Sequence, residues 1–293
     1  MSALAILAGP LQFELTQRAL LEATLVSIAC GVLGVLVVLR GLSFVSDALS
    51  HCVVPGVVVA YLTHASRELW GAVAAVLSAW AMAVLMRRQL LTSDAAIAVV
   101  FTGMFALGLA LISVTRNYFN DLTEILFGAI LAASTTDLLV SSGAALVVLA
   151  AVVLLYWPLV LVSFDPVGAR AQGLPVEQLD LAFFGLLALT TVSGMIAVGT
   201  TLVTGLLIIP AVSARLLARR VSSQMILSAL IGCLASWLGL YVSYYFRIAA
   251  GGAIILAAVA LFALAFVAAP VWRIVAQWLR RPQPNPGPTA APP

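Results

Sequence analysis

Residues 46–56 read SDALSHCVVPG and lie inside an otherwise apolar stretch. Asp47 and His51 stand four residues apart, so on a helix they share one face. Pro55 follows four residues later and has no N–H to give to the carbonyl of His51. An ionisable side chain at membrane depth costs about 2.5–3.5 kcal/mol on insertion scales and usually faces an aqueous path or a partner. One carboxylate oxygen and one neutral imidazole nitrogen suit a divalent transition metal such as Mn²⁺, Fe²⁺ or Zn²⁺. The His51 carbonyl is a candidate third ligand, directly or through a water. Two side chains are too few for a structural site, which normally has four ligands, but a transit site must also let its ion go. The same residues fit a second reading, in which Asp47 or Ser46 caps a helix start and His51 bonds to a neighbour. Cys52 points off the shared face.

The rest of the chain makes membrane depth the right setting. Of 293 residues, 63% are hydrophobic and 9% charged, and mean hydropathy is +1.17. A soluble domain carries roughly 25% charged residues. The expected class is therefore all-α and polytopic. All 14 cationic residues are arginine. Without lysine there is no P-loop on the nucleotide phosphates and no Schiff-base chemistry. Cys30, Cys52 and Cys233 have no paired spacing and read as small hydrophobes between helices. A net charge of +3, thinly spread, gives no nucleic-acid partner.

At about 20 apolar residues per span, the candidates are 18–39, 47–63, 69–86, 94–113, 137–162, 180–198, 200–217, 223–245 and 251–278. Gly199 alone separates two of these, so they could form one re-entrant feature and the count is eight or nine. With nine alternating spans, ten arginines (40, 87, 88, 170, 215, 219, 220, 273, 280 and 281) share one side and four (18, 67, 116 and 247) the other. The bias puts the larger group in the cytoplasm. Residues 116–135 read as polar and then amphipathic on the outer face, and 163–179 as a structured cytoplasmic loop. His64 reads as an interfacial residue at the outer end of the second span. The permease domain is expected over 1–281, with a disordered Pro-rich tail over 282–293.

Five stretches together carry a family resemblance. LSFVSDALSHCVVPGVVVAYL (42–62) resembles the signature of permease subunits of the bacterial zinc/manganese ABC importers. In the same order, DAAIAVVFTGMFALGLALIS (94–113), LTEILFGAILAASTTDLL (122–139), SFDPVGARAQGLP (163–175) and GTTLVTGLLIIPAVSARLL (199–217) resemble further segments of that family. The resemblance implies a type II ABC importer permease in the bacterial plasma (inner) membrane. It implies a second copy forming the pathway at the interface, an ABC ATPase dimer that binds the ATP, and an extracytoplasmic metal-loaded solute-binding protein. No cofactor is implied for this chain, and the cargo is Mn²⁺ or Zn²⁺. By position, Asp47 and His51 match the metal-path pair. Phe164, Asp165, Pro166, Gly173, Leu174 and Pro175 match a coupling loop. Such a loop needs a short, rigid helix, and here Asp165-Pro166 supplies a start and Gly173 a stop. The Pro55-Gly56 step after His51 and the lack of a second histidine in 94–113 resemble the manganese branch. Cys52 departs from the family's usual small residue; it is either neutral packing or a thiol near the path that would favour a softer ion such as zinc.

Two other function classes are weaker. A secondary ion-coupled carrier often shows internal repeats, and no half-to-half repeat is present. An intramembrane metallohydrolase lacks ligands: the only other histidine is His64 and no HExxH occurs.

Overall fold

The computed structural model describes residues 12–87, 91–114 and 135–279. Most of the 116–135 segment and the tail from Pro282 lie outside the described residues. Among those described, every regular element is a helix. In chain order they are α1 (Glu14–Leu39), α2 (Val45–Cys52), α3 (Val54–Thr63), α4 (Arg67–Arg87), α5 (Ser93–Val114) and α6 (Thr135–Leu154). Then come α7 (Tyr156–Phe164), α8 (Pro166–Ala171), α9 (Val176–Val198), α10 (Thr200–Leu217), α11 (Val221–Phe246) and α12 (Ala250–Leu279). Among the described residues, eight helical stretches are long and apolar enough to cross a membrane. The bent pair α6–α7 makes a ninth if it is one span.

Helix α1 is the central post. It packs on α11, α10 and α6, and Leu33, Leu36, Ala23 and Cys30 are fully enclosed. Against α11 the fit depends on small and hydroxyl residues, as expected where lipid supplies no hydrophobic drive between helices. Ser27 and Ser236 share a 2.7 Å hydrogen bond, and Trp237 Nε1 donates to Thr24 Oγ1 at 3.0 Å. A Cβ on Gly31 would sit 2.8 Å from the Ala229 backbone.

Three features of the span pattern are settled by the fold. The expected span 137–162 is two helices meeting at 71°. Pro158 has no N–H for the Leu154 carbonyl, so the ladder cannot run through this point, and Leu155 takes a non-helical conformation between them. The segments on either side of Gly199 are not re-entrant, since each is a full-length helix. Gly199 turns the chain between them at φ 93°. The second span is also divided, into α2 and α3, with the break at Val53 and Pro55 in the first turn of the second piece.

Among the described residues, four of the arginines assigned to one side gather at one end. Arg40, after α1, reaches Ser163 and Asp180. Arg87, ending α4, bonds to Glu177 on α9, and Arg215 on α10 reaches the Val38 carbonyl. Arg170 lies on α8 between those partners. Arg40 and Arg87 thus bond to the flanks of α8, while Arg215 reaches the end of α1. His64 closes α3 in the left-handed region at φ 51° and is exposed, in keeping with its expected place at a span end.

Candidate metal path

Helix α2 carries Asp47 and His51. It packs against α5, α9, α10 and α4, with Leu49, Cys52 and Val45 enclosed. The capping alternative fails here: Phe44 occupies the N-cap position with no side-chain hydrogen bond. Asp47 is in the first turn, and Ser46 Oγ is buried with no partner among the described residues. Pro55 has no N–H for the His51 carbonyl, and the N–H of Val53, two residues on, faces it without the geometry of a full hydrogen bond. Cys52 is 0% exposed and faces the packing side.

What remains is a pair of side chains in two different settings. The Asp47 carboxylate is exposed and lines a cavity of about 340 Å³ together with Phe44, Ala48, Asp94, Ile97 and Phe101. His51, one turn further along, is partly buried. Its ring lies 5.8 Å from that of Phe101 and 5.9 Å from that of Phe105. Its Nδ1 is buried and finds no hydrogen-bond partner among the described residues. A buried polar atom normally has one, so an unpaired imidazole nitrogen beside an acid-lined cavity is free to accept a cation. Phe101 both lines the cavity and lies beside the imidazole, so it joins the two settings.

Asp94 is the residue that spacing does not reveal. It stands in the first turn of α5, where an acid reads as an ordinary complement to the helix dipole. Only the packing of α2 on α5 brings it to the same cavity as Asp47. Among the described residues no three His, Cys, Asp or Glu side chains converge to hold a metal.

The 163–175 segment has the geometry that its sequence leads one to expect. Asp165 caps α8, its Oδ1 accepting from Gly168 N at 2.8 Å, and Pro166 takes the first helical position. The helix ends where Gly173 turns left-handed at φ 79°. Gly173 N then bonds to Arg170 O and Leu174 N to Ala169 O, which satisfies the last carbonyls. Ala169, with Val162, Val176 and Leu179, forms a small apolar cluster joined by Leu174. Phe164 is 63% exposed and Val167 72%, so the short helix is fixed on its inner side and presents apolar groups outward. Pro175 is the N-cap position of α9.

Arg40 bonds on both sides of that segment, to Ser163 at its start and to Asp180 on α9 beyond its end. Its Nε donates to Ser163 Oγ at 2.9 Å and its Nη1 to Asp180 Oδ1 at 2.8 Å, and its guanidinium lies 4.1 Å over the Phe183 ring. Burial pushes its pKa down and the Asp180 carboxylate opposes this. It remains charged, since arginine starts so high.

Residues 12–269 match the ABC 3 transport family. The chain is 40% identical over 270 residues to the manganese transport system membrane protein MntC of Halalkalibacterium halodurans, covering 92% of each. It is 37% identical to the manganese import system permease protein ScaB of Streptococcus parasanguinis, over 90% of this chain and 94% of that one. Its fold is similar to a chain of the solved structure of PsaBC from Streptococcus pneumoniae in complex with Fab. There the TM-score is 0.81 at 34% identity, over 94% of this chain and 100% of that chain.

Proposed function

This chain belongs to the ABC 3 transport family, and we propose that it is the permease of an ATP-driven importer that carries Mn²⁺ across a bacterial inner membrane. The observation that carries the reading is the Asp47–His51 pair: a carboxylate on an open cavity, then a buried imidazole nitrogen with no partner among the described residues. An ion entering this pair exchanges some of its water for one oxygen and one nitrogen. Two ligands hold it weakly enough for release. A second copy of the chain would bring a second carboxylate and imidazole to the path. Helix α5, beside the pair, has only 22% of its apolar window buried, which leaves it free to meet that copy.

ATP hydrolysis belongs to a separate subunit, since a chain with no lysine has no P-loop. Helix α8, with exposed Pro166 and Val167 and with exposed Phe164 at the end of α7 just before it, is the element that seats in that subunit. Its cap, its left-handed stop and its apolar inner side let it move as one body. Closure of the ATPase pair on ATP then rocks the two permeases about the path. A binding protein outside the membrane delivers the metal.

Manganese is preferred to zinc on the names of the relatives and on an acid–imidazole pair without a thiolate, Cys52 being turned into the core. The test is uptake by the reconstituted complex with manganese and zinc in competition, with and without the ATPase. ATP-dependent Mn²⁺ uptake that excess zinc fails to displace is expected. Uptake driven by an ion gradient without the ATPase would instead mean a secondary carrier.

A further inference from the structure

We propose that Arg40 is a positioning residue that transmits movement of α8 to the helix carrying Asp47 and His51. The inference rests on the reading of α8 as the contact to the ATPase. One guanidinium holds both legs of the α8 segment: Ser163, three residues before the helix, and Asp180, in the second turn of α9 beyond it. Ser163 is itself fixed by donating to Leu159 O at 2.6 Å. The arginine side chain is only 10% exposed and stacks on Phe183, which is fully buried. Displacement of either leg therefore pulls on an anchored group.

The other end of Arg40 is its own backbone, and this leads directly to the metal pair. Gly41 turns left-handed at φ 69°. Gly41 N bonds to Val38 O and Leu42 N to Val37 O, so the turn is closed onto α1. Leu42 is 5% exposed. Its carbonyl accepts from Val45 N, and Phe44 O accepts from Ala48 N. Between Arg40 and α2 the backbone is thus a short turn held by a hydrogen bond on each side, to α1 through Gly41 and Leu42 and to α2 through Val45, with Asp47 in the first turn of α2. Arginine suits the post better than lysine, because a planar fork directs two bonds and stacks on a ring where an ammonium is a point charge.

The test uses the full complex with its ATPase in liposomes, reading Mn²⁺ moved per ATP hydrolysed, Mn²⁺ binding, and hydrogen exchange with and without vanadate-trapped nucleotide. In the wild type, trapping should change exchange in both 163–180 and 41–52. Arg40→Gln should lower the Mn²⁺/ATP ratio at least tenfold, keep Mn²⁺ binding within twofold, and confine the trapping response to 163–180. Arg40→Lys should restore less than half of the ratio. A staple with no transmitting role would loosen both segments before nucleotide is added and leave the trapping response shared, and that result overturns the proposal. If Arg40→Gln does not assemble, Ser163→Ala, which removes one bond and leaves the ion pair, should lower the ratio two- to fivefold; a wild-type ratio there also overturns it. Val167→Glu separates the two readings. Unchanged transport in Val167→Glu removes α8 as the ATPase contact and the proposal with it. Lost transport in Val167→Glu beside a wild-type ratio in Arg40→Gln overturns the role of Arg40 alone.

Discussion

Two short helices, α2 and α8, carry the residues of interest, and they are held in opposite ways. Helix α8 is made by its own neighbours in sequence: an aspartate cap, a proline at the first position and a left-handed glycine at the end. Helix α2 has no side-chain cap at its start and breaks at Val53 before a proline. It is held by four other helices. If α8 docks and α2 passes the ion as proposed, the lesson is that a docking element can be specified locally, because it must keep its shape at a surface. A transit element is specified by what surrounds it, because its polar groups must stay unpaired for the ion.

The comparison can be broken most severely at His51. If its unpaired nitrogen is the ligand, His51→Ala should cut Mn²⁺ uptake at least about 100-fold, the upper end of what even supporting-shell changes do to metal sites. The complex should still co-purify with its ATPase, and wild-type uptake would remove α2 from the path. Next comes the packing that holds the second span. A Cβ on Gly56 would drive into the Trp70 carbonyl of α4, so Gly56→Ala should cost about 1–3 kcal/mol, read as a lower melting temperature in detergent. A melting point equal to wild type would mean that α3 has room that the structure does not show.

The smaller effects sharpen the contrast. Asp165→Ala removes the α8 cap and should cost about 1 kcal/mol locally. Faster hydrogen exchange over 165–172 and a several-fold fall in coupled uptake are expected. Unaltered exchange would show that packing, not the cap, holds α8. Ser46→Ala should do almost nothing or stabilise slightly, within about 0.5 kcal/mol, because the hydroxyl is buried without a partner among the described residues. A clear destabilisation would restore Ser46 as a cap and weaken the distinction between the helices.

Much of this was legible in the chain. Hydropathy located the spans, since lipid admits only long apolar helices with satisfied backbones. The i, i+4 relation of Asp47 and His51 put them on one face, and the Asp165-Pro166 and Gly173 signals marked both ends of α8. The misses share a cause. Pro158 was inside a run apolar enough to read as one span, and hydropathy does not register a missing N–H. Asp94 and Arg40 looked like ordinary residues at helix ends.

By itself the sequence determined a polytopic helical membrane protein, the position of an acid–imidazole pair, and the shape of one surface helix. These follow from periodicity, hydropathy and capping, which act over a few residues. Only the tertiary structure decided that Asp94 shares a cavity with Asp47, that the imidazole nitrogen has no partner among the described residues, and that Arg40 spans to Ser163 and Asp180, 123 and 140 residues away. Such contacts depend on which helix packs beside which, and no local preference of the chain encodes that.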